Sequence, residues 1–224
     1  MKALIFDSGI LINFSMNGIL YILEELKKVF PGKFIITNYV KYETIAKPIG
    51  IQRFELGALK IQGMLDAGIL ELPESLNVKE KEIEAGTKEL MFIANHCMGA
   101  REQWIEIVSE AEMSCLALSK ILSERGIENI IGIDERTTRI LCEDPMQLER
   151  IMSEKLHQKV TLVSDKLDIF SEFKFVRSSE IAYVAYKKNL VHLNGKKVLE
   201  ALLYATKYKG SAISFEEIDI LKKL

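Results

Sequence analysis

The pattern of apolar positions divides the chain into short continuous runs and longer stretches with helical spacing. Residues 2–6 form an apolar run that ends at an acid, as is typical of a strand buried on both faces. Because strands and helices alternate through about residue 144, we expect an α/β fold with a mainly parallel sheet. Residues 178–224 have mostly helical spacing. Further strands are predicted over residues 33–36, 68–72, 129–133 and 159–163, and helices over residues 16–30, 37–46, 53–65, 78–97, 109–125, 135–142 and 145–156.

Composition and charge exclude several classes of protein. Hydrophobic residues make up 48% of the 224 positions and the net charge is −2, so intrinsic disorder and a uniformly basic, histone-like protein are excluded. The charge is uneven, since residues 151–224 carry 13 basic and 9 acidic groups. The three cysteines form no CxxC pair, which argues against a zinc site and against a disulfide framework.

The sequence also shows no signal for export or membrane insertion. An acid at position 7 interrupts the apolar N-terminus, and no uncharged stretch reaches the roughly 18 residues that a membrane helix needs. Unpaired cysteines are typical of a reducing compartment. We therefore expect a cytoplasmic protein without a membrane partner.

Acidic residues stand at the positions where an α/β fold builds its sites. Asp7 ends the first strand, Glu43 lies on the helix after the second, Glu112 lies in the first turn of the 109–125 helix, and Asp134 and Glu135 follow a later strand. Ligands of open parallel sheets bind beyond the carboxyl ends of the strands. Carboxylates that converge there repel one another, and Mg²⁺ or Mn²⁺ relieves that repulsion. Such ions activate water for phosphodiester hydrolysis.

Each acid also has a purely structural interpretation. Asp7 precedes Ser-Gly and suits a turn or a helix cap. Glu43 suits an ordinary surface position on a helix. Glu112 is the last residue of an S-x-x-E capping box. Asp134 and Glu135 suit the positive N-terminal end of the helix that follows them.

Four segments together resemble the PIN domain, the nuclease fold of VapC-type toxins and of archaeal RNA-processing enzymes. The N-terminal ALIFDSGILINF resembles its first strand and first acid, and NYVKYETIAKP resembles the helix with the second acid. SEAEMSCLALSK resembles the family's S-x-G-E-x-x-A-L stretch, and IIGIDERTTRIL resembles the strand with the last acid. The resemblance covers about residues 2–144.

This resemblance implies a fold, an activity and a set of site residues. The fold would be a three-layer α/β/α PIN-like domain over residues 1–144, with a mostly helical extension over 145–224 packed on it. The activity would be that of an Mg²⁺- or Mn²⁺-dependent endoribonuclease. Asp7, Glu43, Glu112 and Asp134 would hold the metal and the attacking water, with Glu135 assisting or replacing Asp134. Outside that set, Ser8 would either support the acids from beside Asp7 or contribute its own oxygen directly, and Arg136 or Arg139 would meet phosphate. For Arg139, an ion pair with Glu135 is the alternative.

The basic C-terminal part raises a second hypothesis, a PIN-like binding module with weak or no catalysis. Its helices would bind RNA or a partner chain through Lys187, Lys188, Lys196 and Lys197, although a solvated helical face is the simpler explanation of these lysines. The partners that the resemblance implies are RNA and a protein inhibitor or antitoxin. Apolar residues at helical spacing in the tail cover either the same chain or a second copy in a homodimer. The sequence does not choose between a toxin, RNA maturation and RNA decay.

Overall fold

A parallel sheet of four strands lies at the centre of the computed structural model, which describes residues 1–101, 103–163 and 166–224. In chain order, the strands of the described residues are β1 (Lys2–Phe6), β2 (Gly32–Ile35), β3 (Met98–Ala100), β4 (Gln103–Trp104), β5 (Glu128–Gly132), β6 (Thr161–Leu162) and β7 (Phe175–Val176). The α-helices of the same residues are α1 (Ser8–Met16), α2 (Tyr21–Val29), α3 (Asn38–Lys41), α4 (Gln52–Asp66), α5 (Glu80–Asn95), α6 (Glu110–Glu124), α7 (Arg136–Glu143), α8 (Leu148–Leu156), α9 (Ser178–Lys187), α10 (Val198–Tyr208) and α11 (Phe215–Lys223). A π-helical turn, Tyr42–Ala46, continues α3, and short 3₁₀ turns occupy Pro73–Leu76, Pro145–Gln147 and Leu167–Phe170.

The order of the central sheet is β2-β1-β5-β7, and every neighbouring pair is parallel. Strand β1 lies inside the sheet, where Leu4 pairs with Phe34 of β2 on one side and with Ile130 of β5 on the other. All of β1 after Lys2 is buried, as its continuous apolar run predicts. The predicted α/β class with a parallel sheet is thus confirmed, and its helices are compatible with three layers.

The helix predicted over 16–30 is present as α2 but begins five residues later, and the sequence missed the separate helix α1 that precedes it. Helix α1 ends at Met16, Gly18 adopts a left-handed φ of +68°, and α2 begins at Tyr21. Glycine reaches that conformation without steric cost, so the chain turns at this point. Most of α1 is buried, which leaves its sequence without the amphipathic period that identifies a surface helix.

Two of the predicted strands differ from the structure. Residues 68–72 form a single parallel bridge, between Glu71 and Ile35 at the outer edge of β2, before Pro73 begins a 3₁₀ turn. Proline has no N–H to donate, so the ladder does not extend through it. The strand predicted over 159–163 is the short β6, which pairs with β3 in a second, antiparallel sheet of order β4-β3-β6. It therefore does not belong to the parallel sheet.

The segment after residue 144 contributes directly to the sheet. Strand β7 pairs with β5 through Phe175 and Val176, and helix α9 then packs against α1 and α2. The apolar residues of α9 and α10 are mostly buried within the chain itself, although Val184 is 41% exposed. The division at residue 144 stays a prediction. Within the described ranges, no helix is both long enough and apolar enough to cross a membrane.

Candidate active site

Asp7 lies at the carboxyl end of β1 and is almost fully buried. Its Oδ2 accepts a hydrogen bond of 3.0 Å from the N–H of Gly9, so the carboxylate caps helix α1, as the structural interpretation of this residue predicts. Burial and the nearby charges of Glu112 and Glu43 together raise the pKa of Asp7 to about 7, although hydrogen bonds from the backbone N–H groups of Gly9 and Ser8 act in the opposite direction. Asp7 is therefore a carboxylate whose charge the surrounding protein disfavours.

Glu43 is linked to this acid through Ser8. The hydroxyl of Ser8 donates to Glu43 Oε2 at 2.7 Å. Ser8 Oγ also lies 3.5 Å from Asp7 Oδ1. Glu43 is carried by the π-helical turn Tyr42–Ala46, a rare form of helix that is frequent at functional sites. The structure therefore brings Asp7, Ser8 and Glu43 together, as the sequence predicts.

Glu112 and Glu135 meet at a threonine. Glu112 completes the predicted capping box, since its Oε2 accepts from the N–H of Ser109 at 2.9 Å. The hydroxyl of Thr138 donates to the same Oε2 at 3.0 Å, and the N–H of Thr138 donates to Glu135 Oε2 at 2.6 Å. Burial raises the pKa of Glu112, and the neighbouring charge of Glu135 adds to that rise.

Asp134 is held in a buried polar network with partners other than these acids. Its Oδ1 accepts from the N–H of Ser178 at 2.8 Å, and its Oδ2 accepts from Asn13 Nδ2 at 3.0 Å. The Asn13 amide also donates to the carbonyl of Thr206 at 2.9 Å. Burial raises the pKa of Asp134, although these hydrogen bonds to its ionised form act in the opposite direction. Its carboxylate thus ties α1 to the start of α9, and the Asn13 amide ties α1 to the end of α10.

Comparison with known proteins does not extend this picture. No family model matches the chain, and neither does any curated protein or solved structure. The resemblance to the PIN domain therefore stays a prediction that depends on the residues themselves.

The acids fit a hard divalent cation by their chemistry. Asp7, Glu43 and Glu112 offer only oxygen, and none of them takes part in an ion pair with the residues that the structure describes. Across residues 1–101, 103–163 and 166–224, no three His, Cys, Asp or Glu side chains are grouped as metal ligands. Mg²⁺ keeps several waters and is commonly held by one or two carboxylates plus substrate phosphates, so the pair Asp7 and Glu43 is the best-placed donor set.

A small cavity opens beside Glu112 and Glu135. Its volume is about 280 Å³, and the ammonium of Lys155 contributes positive charge to a wall that is otherwise rich in acids. We call this cavity the acidic groove; its lining residues are Glu106, Ile107, Val108, Ser109, Glu112, Glu135, Thr137, Met152 and Lys155. A larger open cavity of about 500 Å³ lies between α1, α2 and α4 and contains none of the predicted site residues.

The arginines predicted to meet phosphate occupy different environments. Arg136 is exposed at the first position of α7. Arg139 pairs with Glu143 at 3.0 Å, so the predicted ion pair with Glu135 is wrong. Glu135 instead uses its carboxylate to cap α7 through the N–H of Thr138.

The predicted basic surface lies at some distance from the acids. Helix α9 begins at Ser178, whose N–H donates to Asp134, and ends at Lys187. With a rise of 1.5 Å per residue, these two residues are about 14 Å apart along the helix axis. All four lysines are exposed and surround the connection between α9 and α10; they are Lys187, Lys188, Lys196 and Lys197.

Two residues that position the acids were missed at the sequence level. Thr138 joins Glu112 to Glu135, and Asn13 holds Asp134. The signal for Asn13 is visible in retrospect, because it is a lone amide in the apolar run ILINF and is fully buried. Thr138 follows Glu135 by three residues, the spacing of an N-cap interaction.

Proposed function

We propose that the protein is a divalent-metal-dependent endoribonuclease with a PIN-like, three-layer α/β/α fold. One observation carries the proposal: Asp7, Glu43 and Glu112 lie close enough to raise the pKa of Asp7, yet no cationic side chain among the described residues neutralises them. An arrangement that is costly for the folded protein is typical of a site that binds a positive partner.

Asp7 and Glu43 are the residues proposed to hold the ion, with Glu112 beside them. When bound, Mg²⁺ or Mn²⁺ supplies a polarising charge for a phosphate oxygen and lowers the pKa of water. Ser8 orients Glu43 through its hydrogen bond, and Thr138 orients Glu112. Glu135 is proposed as the fourth acid because it lines the acidic groove beside Glu112, whereas Asp134 is held in a buried network with Asn13 and Ser178.

The protein residues also arrange a path for the substrate. The acidic groove begins at Glu112 and Glu135, and Lys155 on its wall offers one positive charge to a phosphate. Arg136, exposed at the start of α7, offers a second one. We propose that an RNA backbone passes along this groove, with the scissile phosphate near Asp7 and Glu112.

The alternative function is an RNA- or protein-binding module that uses the basic connection between α9 and α10. What favours it is the absence of any three-ligand metal group in the described part of the chain, together with the exposure of Lys187, Lys188, Lys196 and Lys197. This module would retain RNA binding after Asp7→Asn and lose it when those lysines are neutralised.

Mn²⁺ binding measured by titration calorimetry tests the proposal without knowledge of the RNA sequence. We expect the wild type to bind Mn²⁺ and Asp7→Asn to lose that binding, because asparagine keeps the cap of α1 but removes the charge. Glu124→Gln is the matched control, since Glu124 is exposed at the opposite end of the helix that carries Glu112.

Cleavage assays on pooled RNA then follow for the same three proteins. Mn²⁺-dependent cleavage by the wild type and by Glu124→Gln, but not by Asp7→Asn, would support the nuclease. Absence of binding at millimolar Mn²⁺ would overturn the metal-dependent mechanism and favour the binding module.

A further inference from the structure

Three aromatic rings form an exposed cluster at the edge of the small antiparallel sheet. Phe92 and His96 lie one turn apart on α5 and its C-cap, and their rings are stacked with centroids 4.3 Å apart. The ring of Trp104, on β4, lies 5.5 Å from His96. Phe92 is 66% exposed and Trp104 is 54% exposed. We call these three rings the aromatic platform.

The platform is held in place by the backbone around it. His96 Nδ1 lies 2.8 Å from the carbonyl oxygen of Phe92, which accepts its hydrogen bond, and β4 places Trp104 opposite Gly99 of β3. The side-chain oxygen of Asn95 accepts from the N–H groups of residues 107 and 108, at 2.8 and 3.2 Å. These bonds fix the chain after Trp104 to the end of α5. The backbone around the rings is therefore fixed, while the rings of Phe92 and Trp104 remain exposed.

The platform lies close to the acidic groove along the chain. The chain that leaves Trp104 passes through Glu106 and Ser109, both of which line the groove, before it reaches Glu112. Five residues of extended chain span at most about 17 Å. A strand of nucleic acid bound in the groove thus reaches the rings within a few nucleotides.

The charges of the region explain why such a strand needs the rings. The carboxylates of the groove repel phosphates, so the groove alone is a poor binder of RNA. Two cationic residues lie near the route of such a strand from the groove to the rings. They are Arg101, in the turn of the β3–β4 hairpin, and Lys155, on the wall of the groove. Neither forms an ion pair with the residues that the structure describes. Exposed rings combined with unpaired cations are the usual means of binding single strands.

We propose that the aromatic platform stacks unpaired bases of a single-stranded RNA whose backbone continues into the acidic groove. The choice of RNA rests on the proposed nuclease function, whereas the stacking itself depends only on the rings. Because every base has a flat π-face, this contact would recognise the single-stranded state and not a particular sequence.

Trp104 is the only tryptophan of the chain, so its fluorescence reports on the platform directly. The experiment titrates the full-length protein with a twelve-residue oligouridine in EDTA, where metal-dependent cleavage does not occur. Tryptophan emission is recorded together with the anisotropy of a dye on the RNA. We expect saturable quenching of Trp104 at the same RNA concentrations that raise the anisotropy.

Variants assign the signal to the rings. Phe92→Ala keeps the tryptophan and should weaken binding about tenfold, and Trp104→Ala should weaken it to a similar degree by anisotropy. Tyr208→Ala is the matched control, because this ring on α10 is 72% exposed and lies outside the platform. An RNA hairpin with paired bases should not quench the emission.

The outcomes separate this proposal from the nuclease proposal. In one outcome, the anisotropy shows that RNA binds while the emission of Trp104 is not quenched and Phe92→Ala binds RNA as tightly as the wild type. That result refutes the platform and leaves the nuclease proposal unaffected. The protein could also show quenching of Trp104 and weaker RNA binding by the ring variants, yet neither bind Mn²⁺ nor cleave RNA. That result would support the platform and reject the nuclease. Much tighter binding of oligothymidine than of oligouridine would overturn the choice of RNA. If no single strand binds at all, the platform itself is overturned.

Discussion

Replacing Asp7 with asparagine should stabilise the protein in the absence of metal. The pKa of Asp7 is about 7 in the folded chain, against its ordinary value of 3.8. The folded state therefore binds more protons than the unfolded state between these two values, and stability falls as the pH rises through that window. Asparagine keeps the cap of α1, which Asp7 provides to Gly9, and carries no charge.

The size of the effect follows from the two pKa values. A difference of about three pH units, at 1.36 kcal/mol each, makes the ionised carboxylate cost about 4 kcal/mol of unfolding free energy at pH 8. At pH 5 the folded carboxyl is mostly protonated, and the cost falls to about 2 kcal/mol. Asp7→Asn should be more stable than the wild type by amounts approaching these figures, with the larger difference at the higher pH.

Urea unfolding followed by circular dichroism, in EDTA at pH 5 and pH 8, measures the difference. The control variant Glu124→Gln changes an exposed acid and should remain within about 0.5 kcal/mol of the wild type. Mn²⁺ at a hundred times its dissociation constant should then stabilise the wild type by about 2.7 kcal/mol and leave Asp7→Asn unchanged. A wild type that is at least as stable as Asp7→Asn at pH 8 in EDTA would refute the conclusion that the carboxylate is uncompensated.

Three further predictions concern neighbouring parts of the structure. Glu112→Gln should lower the pKa of Asp7, because the charge of Glu112 is its strongest electrostatic neighbour, and carboxyl ¹³C NMR titration would show this. Asn13→Ala should destabilise the fold by about 1–3 kcal/mol in urea unfolding, since it removes a donor from the buried carboxylate of Asp134. Gly32→Ala should lower the melting temperature, because its Cβ would collide with a carbonyl oxygen of β1.

Each of these measurements also has a result that contradicts its premise. An unchanged titration of Asp7 in Glu112→Gln would mean that the two carboxylates do not interact. Full stability of Asn13→Ala would mean that water or another donor replaces the amide. Full stability of Gly32→Ala would mean that β1 and β2 separate at little cost.

Local sequence signals predicted the parts of the fold that depend on local physics. The apolar run of β1 ends at a buried acid, and the S-x-x-E pattern marks the capping box that begins α6. Helix α6 ends just before Gly126, which adopts a left-handed φ of +70°. In these places, the residues that define an element lie within a few positions of one another.

The parts that were missed depend on contacts between distant residues. Helix α1 is buried on most sides, so no period in its sequence distinguishes it. Strand β7 has only two residues and is defined by its pairing with β5. The direction of the Asp134 side chain depends on Ser178 and Asn13, which lie 44 and 121 positions away in the chain. No local pattern predicts such partners.

The structural and functional interpretations of the acids turn out to be compatible. Asp7 caps α1 through one oxygen, and Glu112 caps α6. Capping accounts for where these carboxylates lie, but not for why Asp7 stands unneutralised beside two other acids, since an asparagine would cap equally well without the electrostatic cost. Capping thus leaves the excess of acids unexplained, and the bound cation that we propose would account for it.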